Sequence, residues 1–312
     1  MIIRIEDDFD LEKIMVSGQC FRARKMNTGA CRFITGNHIL YIREAGECEF
    51  ECSCSEEEWA AVWHPYFDLD RDYRAVREKT CCENEFINHA VEMGQGIRVL
   101  RQDPWETLVT FIISQRKSIP SIAACVEKIA KTVGMPVSAD AGVMENRPGE
   151  RAGAEDGEPV FRFPSPEEIL AAGEERIAAC GLGYRLPYVM RAAERALTID
   201  FEALDQLDDE ELFDAFTAFY GVGKKISNCV CLFAYGRVSR VPVDTWIDKV
   251  IREDCGGCDP FPGFGEVAGI IQQYVFYCAR LEKIRDGKKD KRAGQDPGRS
   301  SRERDGHRGV PD

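Results

Sequence analysis

The chain has 312 residues, 44% hydrophobic and 30% charged, which is the balance of an ordinary globular protein able to bury a large core. No stretch approaches the roughly 20 apolar residues of a membrane span, and Met1-Ile2-Ile3-Arg4-Ile5-Glu6 lacks the charged, apolar and cleavable regions of a signal peptide, so a cytoplasmic protein with no membrane partner is expected. The net charge of −13 weighs against nucleic acid in bulk, but residues 283–312 hold four Lys and six Arg against five Asp and one Glu, a net +4 that leaves −17 for residues 1–282. Any phosphate binding must therefore rest on local geometry.

Taken in chain order, residues 1–54 alternate like half-buried strands. Cys20 to Arg24, Cys31 to Thr35, His38 to Arg43 and Glu47 to Cys52 are separated by turn signals at Asn27-Thr28-Gly29 and Gly36-Asn37, which predicts a small antiparallel sheet. From Ser55 to about Lys283 the pattern is helical. Asp103-Pro104-Trp105-Glu106 and Ser165-Pro166-Glu167-Glu168 each offer an N-cap, a proline at the first helical position and a Glu three residues on that closes a capping box. Asp208-Asp209-Glu210-Glu211 repeats the device without proline. Residues 137–160 are rich in Gly, Pro and charge and read as a surface loop. The segment from about Asp286 onward has almost no apolar residues.

Fourteen cysteines are scattered along the chain. Cys52-Ser53-Cys54, Cys81-Cys82 and Cys255-Gly256-Gly257-Cys258 form clusters, and the last has the two-residue gap of a zinc knuckle, but no second pair follows it. They read as free thiols, with no metal and no cofactor.

Leu207 to Val250 is the informative stretch. A helix over about Asp209 to Phe219 ends in Tyr220-Gly221-Val222-Gly223, and a second begins at Lys224-Lys225 and continues through Ala234. The two glycines make a tight turn and leave bare N–H groups at a helix start, where a phosphate is favoured without side-chain charge. An ordinary helix-to-helix turn uses the same residues. Val241-Pro242-Val243-Asp244 follows as an extended apolar step ending in an acid placed to cap the next helix from Thr245. One helix and a return loop separate Lys225 from Asp244, so both can face one cleft.

These residues resemble the helix-hairpin-helix DNA glycosylase superfamily, and within it the 8-oxoguanine DNA glycosylase/lyases. The resemblance runs over about residues 1–282: Ser17-Gly18-Gln19-Cys20-Phe21-Arg22, Gln102-Asp103-Pro104-Trp105-Glu106 with Phe111-Ile112-Ile113-Ser114, Gly181-Leu182-Gly183-Tyr184-Arg185, the hairpin through Asp244, and Gln272 with Phe276. It implies an α+β fold, with an N-terminal antiparallel sheet subdomain and flanking helices over 1–98 and a mostly helical glycosylase domain over 99–282; by its composition the remainder, 283–312, is expected to be a disordered basic tail. The implied partner is double-stranded DNA carrying an oxidised purine, met by a monomer that flips the base out of the stack during base-excision repair.

By the same resemblance Lys225 is the nucleophile at the sugar C1′ and forms the Schiff base that permits β-elimination, with Asp244 stabilising the developing positive charge. The pocket would comprise the Gly18 carbonyl, accepting from the protonated N7 of 8-oxoguanine, Phe276 and Cys229 on the two faces of the base, and Gln272 at its Watson–Crick edge. Gly221, Val222, Gly223, Arg116, Tyr184, Arg185 and Trp246 would contact DNA. Two departures stand out. Gln115-Arg116-Lys117-Ser118 replaces the family's asparagine stretch, which puts the preference for an opposite cytosine in doubt, and Trp246 stands where many relatives carry histidine. A monofunctional alkylated-base glycosylase is disfavoured by Lys225, and a non-catalytic DNA-binding hairpin by Lys225 with Asp244. Cys255, Cys258 and Cys278 do not match the four closely spaced ligands of the iron–sulfur relatives.

Overall fold

A computed structural model describes residues 1–137 and 159–293, with side chains to residue 282. The sheet contains β1 (Ile2–Arg4), β2 (Arg24–Lys25), β3 (Cys31–Thr35), β4 (His38–Gly46) and β5 (Glu49–Cys52), antiparallel throughout in the order β1-β5-β4-β3-β2. Its central hairpin pairs Thr35 with His38 and Cys31 with Ile42, the register that the Gly36-Asn37 turn dictates. Phe33, Leu40, Ile42 and Phe50 from the sheet bury together with Trp63, Tyr66 and Phe67 of the short helical turns that follow it.

The N-terminal segment differs from its expected strand pattern in two ways. Leu11–Val16 is a helix (α1), started by the Asp10 side chain accepting from the Lys13 N–H. Of the stretch Cys20 to Arg24, only Arg24 enters a strand. Just before this stretch the Gln19 carbonyl accepts from Gln102 Nε2 at 3.0 Å, and within it Arg22 pairs with Glu127 at 3.2 Å, so the segment is held by the helical part of the molecule.

The helical part comprises α2 (Tyr73–Lys79), α3 (Glu85–Met93), α4 (Pro104–Ser114), α5 (Ile119–Val133), α6 (Pro166–Ala178), α7 (Leu186–Ala196), α8 (Asp209–Thr217), α9 (Lys224–Phe233), α10 (Thr245–Glu253) and α11 (Ala268–Ala293). Leu108, Ile112, Val126, Val189, Phe216, Val230, Ile271 and Tyr274 fill one continuous core. Tyr73, Ile87 and Val91 of α2 and α3 belong to it as well, so the sheet's own core extends along the chain only to Leu69, rejoined by Leu100, and residues 73–93 pack with the helices.

The capping boxes at Ser165 and Asp208 form as expected. The one at Asp103 forms by half: Asp103 accepts from the Glu106 N–H, but the Glu106 carboxylate turns to Arg22, 3.5 Å away, because a buried guanidinium outcompetes a backbone donor. Of the expected loop 137–160, residues 138–158 lie outside the described residues, and its ends are joined by the Val137 N–H donating to the Val160 carbonyl at 2.8 Å. Residues 283–293 of the expected disordered tail (283–312) are helical instead, since α11 continues to Ala293; a stretch rich in Lys and Arg extends a helix already nucleated in the core. Residues 294–312 lie outside the described set. No helix of the described residues is long and apolar enough to cross a membrane.

Candidate active site

The hairpin forms between α8 and α9. Gly221 takes φ +80, and a Cβ there would stand 2.7 Å from the Tyr188 ring, so the turn requires glycine on two grounds. Gly223 is the N-cap of α9 and provides no side-chain acceptor, so no cap bond closes the helix start, while the Ile226 N–H turns back to the Gly223 carbonyl at 2.9 Å. Val222 between them is buried and anchors the turn.

Lys225 lies in the first turn of α9, half-buried. Its Nζ donates to Ser114 Oγ at 3.4 Å and stands 4.8 Å over the Phe111 ring. Ser114 Oγ itself donates to the Phe111 carbonyl at 2.7 Å, so its lone pairs face the amine. One turn along α9, Cys229 is buried; burial pushes its thiol up to about 11, Lys225 pulls against that both by charge and by a hydrogen bond, and Asp244 adds to the rise. Lys225 and Asp244 thus act on one thiol from two elements.

Asp244 reaches this place through the step before it. Asn228 Nδ2 on α9 donates to the Val241 carbonyl at 3.0 Å, and Gln272 Nε2 on α11 donates to the Pro242 carbonyl at 3.2 Å. Asp244 then caps α10, its Oδ1 accepting from the Trp246 and Ile247 N–H groups at 3.0 Å each. Gln272 is buried and its Oε1 has no hydrogen-bond partner among the described residues, as an acceptor awaiting a donor from a bound group would.

One turn beyond Gln272, Phe276 meets Gly18. Gly18 has φ +91, and a Cβ there would lie 2.7 Å from the Phe276 ring and 2.9 Å from Arg280 Nη1. The flanking carbonyls are clamped by the same helix: Gln273 Nε2 donates to Ser17 O at 2.9 Å and Arg280 Nη2 to Val16 O at 2.5 Å. Gly18 and Phe276 thus pack together, Gln272 one turn back on α11 bonds to the Pro242 carbonyl two residues before Asp244, and Cys229 lies one turn along α9 from Lys225.

The expected DNA-contacting residues form a second connected surface. Arg116 is exposed and held at φ +54, a conformation rare outside glycine. Behind it, the Gln115 carbonyl accepts from Arg185 Nε at 2.8 Å and from the Tyr184 hydroxyl at 3.4 Å, while Gln115 Nε2 reaches the Gly221 carbonyl at 3.4 Å. Arg185 is buried and also donates to the Leu182 carbonyl, so in this conformation it holds the Arg116 turn and does not project outward. Tyr184 is half exposed and continues through Tyr188 to Tyr220 as edge-to-face rings 6.1 and 5.4 Å apart. Trp246 is half-buried in the first turn of α10. Ser114, Phe111, Asn228 and Arg280 were not singled out as site residues from the sequence; Phe111, Ser114 and Asn228 lie within the segments that resemble the family, and Arg280 carries no such signal.

Fold and site together define a helix-hairpin-helix DNA glycosylase. Residues 1–108 match the family model described as 8-oxoguanine DNA glycosylase, N-terminal domain. The chain is 25% identical to a probable N-glycosylase/DNA lyase of Methanothermobacter thermautotrophicus, over 90% of this chain and 97% of that protein. Its fold is similar to MBOgg1, solved with a low-affinity DNA ligand (TM-score 0.79, 30% identity, 90% and 96% of the two chains). It is also similar to a Clostridium acetobutylicum 8-oxoguanine glycosylase/lyase in complex with dsDNA containing cytosine opposite to 8-oxoG (TM-score 0.77, 28% identity, 91% and 99% coverage). The chain belongs to the 8-oxoguanine DNA glycosylase family.

Proposed function

We propose that the protein acts as a monomer on double-stranded DNA, flips out an 8-oxoguanine nucleotide, and removes the base with Lys225 as nucleophile. The observation that supports this most directly is the half-buried Lys225 amine, set on Ser114 Oγ and over the Phe111 ring, on the helix whose Asn228 also bonds to the Val241 carbonyl of the step that leads into Asp244. In the reaction, the uncharged Lys225 amine bonds to C1′ as the bond from C1′ to the base breaks, and the base leaves with the electron pair and takes up a proton. The aminal opens to a Schiff base, and loss of a C2′ proton then expels the 3′ phosphate. The Asp244 carboxylate, fixed by its two N–H contacts, lies where positive charge grows on the sugar. Ser114 keeps the amine's free pair directed, and Phe111 offers the ammonium a π face before the proton is lost.

In the pocket, Gln272 Oε1 accepts from the Watson–Crick edge of the base, Phe276 and the un-ionised Cys229 thiol cover its faces, and the Gly18 carbonyl accepts from N7–H. The hairpin N–H groups hold a phosphate, and Arg116, Tyr184 and Trp246 meet the duplex, with Arg185 as the support of the Arg116 turn. In this reading the N-terminal unit (1–98), whose residues 73–93 pack with the helices, contributes Gly18, and the helical unit (99–282) the other site residues. The workplace is the cytoplasm, on nucleoid DNA.

Borohydride added to the enzyme with an 8-oxoguanine duplex should trap a covalent adduct that Lys225→Gln does not form. An adduct of equal yield from Lys225→Gln sinks the assignment, and base release without any adduct from the wild type makes the enzyme monofunctional.

A further inference from the structure

One further set of donor side chains converges away from the base pocket. His89 on α3 and Cys278 and Glu282 on α11 each offer one ligand atom, and these atoms all lie within 4.8 Å of one another. The convergence is built into the packing of the two helices. Cys278 and Glu282 are four apart and share a face of α11 with Tyr274. Gly94, which ends α3, lets the Tyr274 ring come so close that a Cβ would stand 2.3 Å from it. With that contact fixed and the helices running in opposite directions, His89 comes level with Cys278. The set grades from dry to wet: Cys278 is buried, Glu282 half-buried and His89 exposed.

We propose that His89, Cys278 and Glu282 bind a single divalent cation of the zinc type, which pins α3 to α11. The donor set argues for the class of ion. Magnesium and calcium take oxygen ligands, whereas a thiolate with an imidazole and one carboxylate suits zinc. Bond lengths of about 2.0–2.3 Å place tetrahedral ligand atoms roughly 3.5 Å apart, a contraction that rotation of the exposed His89 and half-buried Glu282 can supply. Water fills the fourth position on the solvent side. Binding displaces the Cys278 thiol proton to solvent, so the two anionic ligands balance the ion and affinity falls as pH is lowered. The consequence is local to the chemistry: α11 also carries Gln272 and Phe276, and Cys278 is two residues beyond Phe276. An ion held there fixes the helix on which the pocket is built, and stabilises the fold by mass action.

A rival destination for a thiophilic ion exists in the same chain. Cys81, Cys82, Cys255 and Cys258 line one cavity of about 970 Å³, also lined by Asn84, whose Nδ2 donates to the Asp254 carbonyl at 2.8 Å. The test separates the two. The full-length chain, stripped with chelator, is titrated with zinc while its Tm is followed, and with cobalt(II) while the thiolate-to-cobalt charge-transfer absorption is followed. One equivalent should bind, raising Tm and giving the band. His89→Gln should weaken zinc by at least about a hundredfold, more than loss of a supporting outer contact does, while leaving the metal-free Tm unchanged; Cys278→Ser should abolish the band. Should Cys278→Ser fail to fold, Glu282→Gln serves with His89→Gln. Unaltered affinity in His89→Gln overturns the proposal, as does failure to bind one equivalent, or loss of the ion in Cys82→Ser/Cys255→Ser instead. These readings need no DNA, so their failure leaves the repair assignment standing.

Discussion

Asp244 has two separable duties, and its neighbours make them distinguishable. As an N-cap it satisfies two N–H groups of α10; in the proposed reaction its carboxylate also supplies charge. Asparagine caps nearly as well as aspartate, so Asp244→Asn should keep the fold and DNA binding but lose most base release in single-turnover assays. Asp244→Ala should in addition cost about 1 kcal/mol of stability. Base release by Asp244→Asn at the wild-type rate would remove the charge role. Ser114 presents a smaller case: its single hydrogen bond to Nζ is worth roughly 1 kcal/mol, and Ser114→Ala should slow borohydride trapping about fivefold with no change in DNA affinity. A fall in affinity instead would place Ser114 among the DNA contacts.

At the level of elements, the α8–α9 turn and the Arg116 turn form a coupled pair, joined by Gln115 to the Gly221 carbonyl. Gly221→Ala meets both a φ of +80 and the Tyr188 ring, and should destabilise the fold by about 1–3 kcal/mol and weaken DNA binding together. If urea unfolding and binding are both unaffected, the turn is not held as described. This hairpin was legible from sequence because its determinants are local: two glycines, two N-caps and a proline step each set their own few residues. The strand expected over Cys20 to Arg24 was not, since alternation alone cannot reveal that Arg22 is drawn to Glu106 and Glu127 of the helices.

Across the whole molecule, Arg22 ties the N-terminal segment to the helical core. It pairs with Glu127 at 3.2 Å and Glu106 at 3.5 Å and also donates to the Phe161 carbonyl. Burial lifts the Glu106 carboxyl from 4.5 to about 7, with Asp103 and Glu127 adding to the rise and Arg22 opposing it. The folded chain therefore holds a proton on Glu106 that the unfolded chain has released between those values. The contribution of this group to stability is greatest below about pH 4.5 and declines as pH rises to about 7. Glu106→Gln should flatten that decline in Tm measured from pH 5 to 8; an identical slope would show that Glu106 is not its source. Arg22→Met, which leaves two buried carboxylates without their cation, should cost about 3–5 kcal/mol.

By itself the sequence determined what lies within a helix or turn: the glycine hairpin, the caps at Ser165 and Asp208, the lysine opening α9 and the acid opening α10. Such features depend on backbone torsions and on hydrogen bonds spanning a few residues. Only the tertiary structure decided which distant groups meet. Gln273 closes on Ser17 across 256 residues, Glu106 prefers Arg22 to its own helix start, and His89 comes level with Cys278. Packing sets those meetings, because a side chain's partner is chosen by which helix faces fill the core, and no local pattern in the chain records that choice.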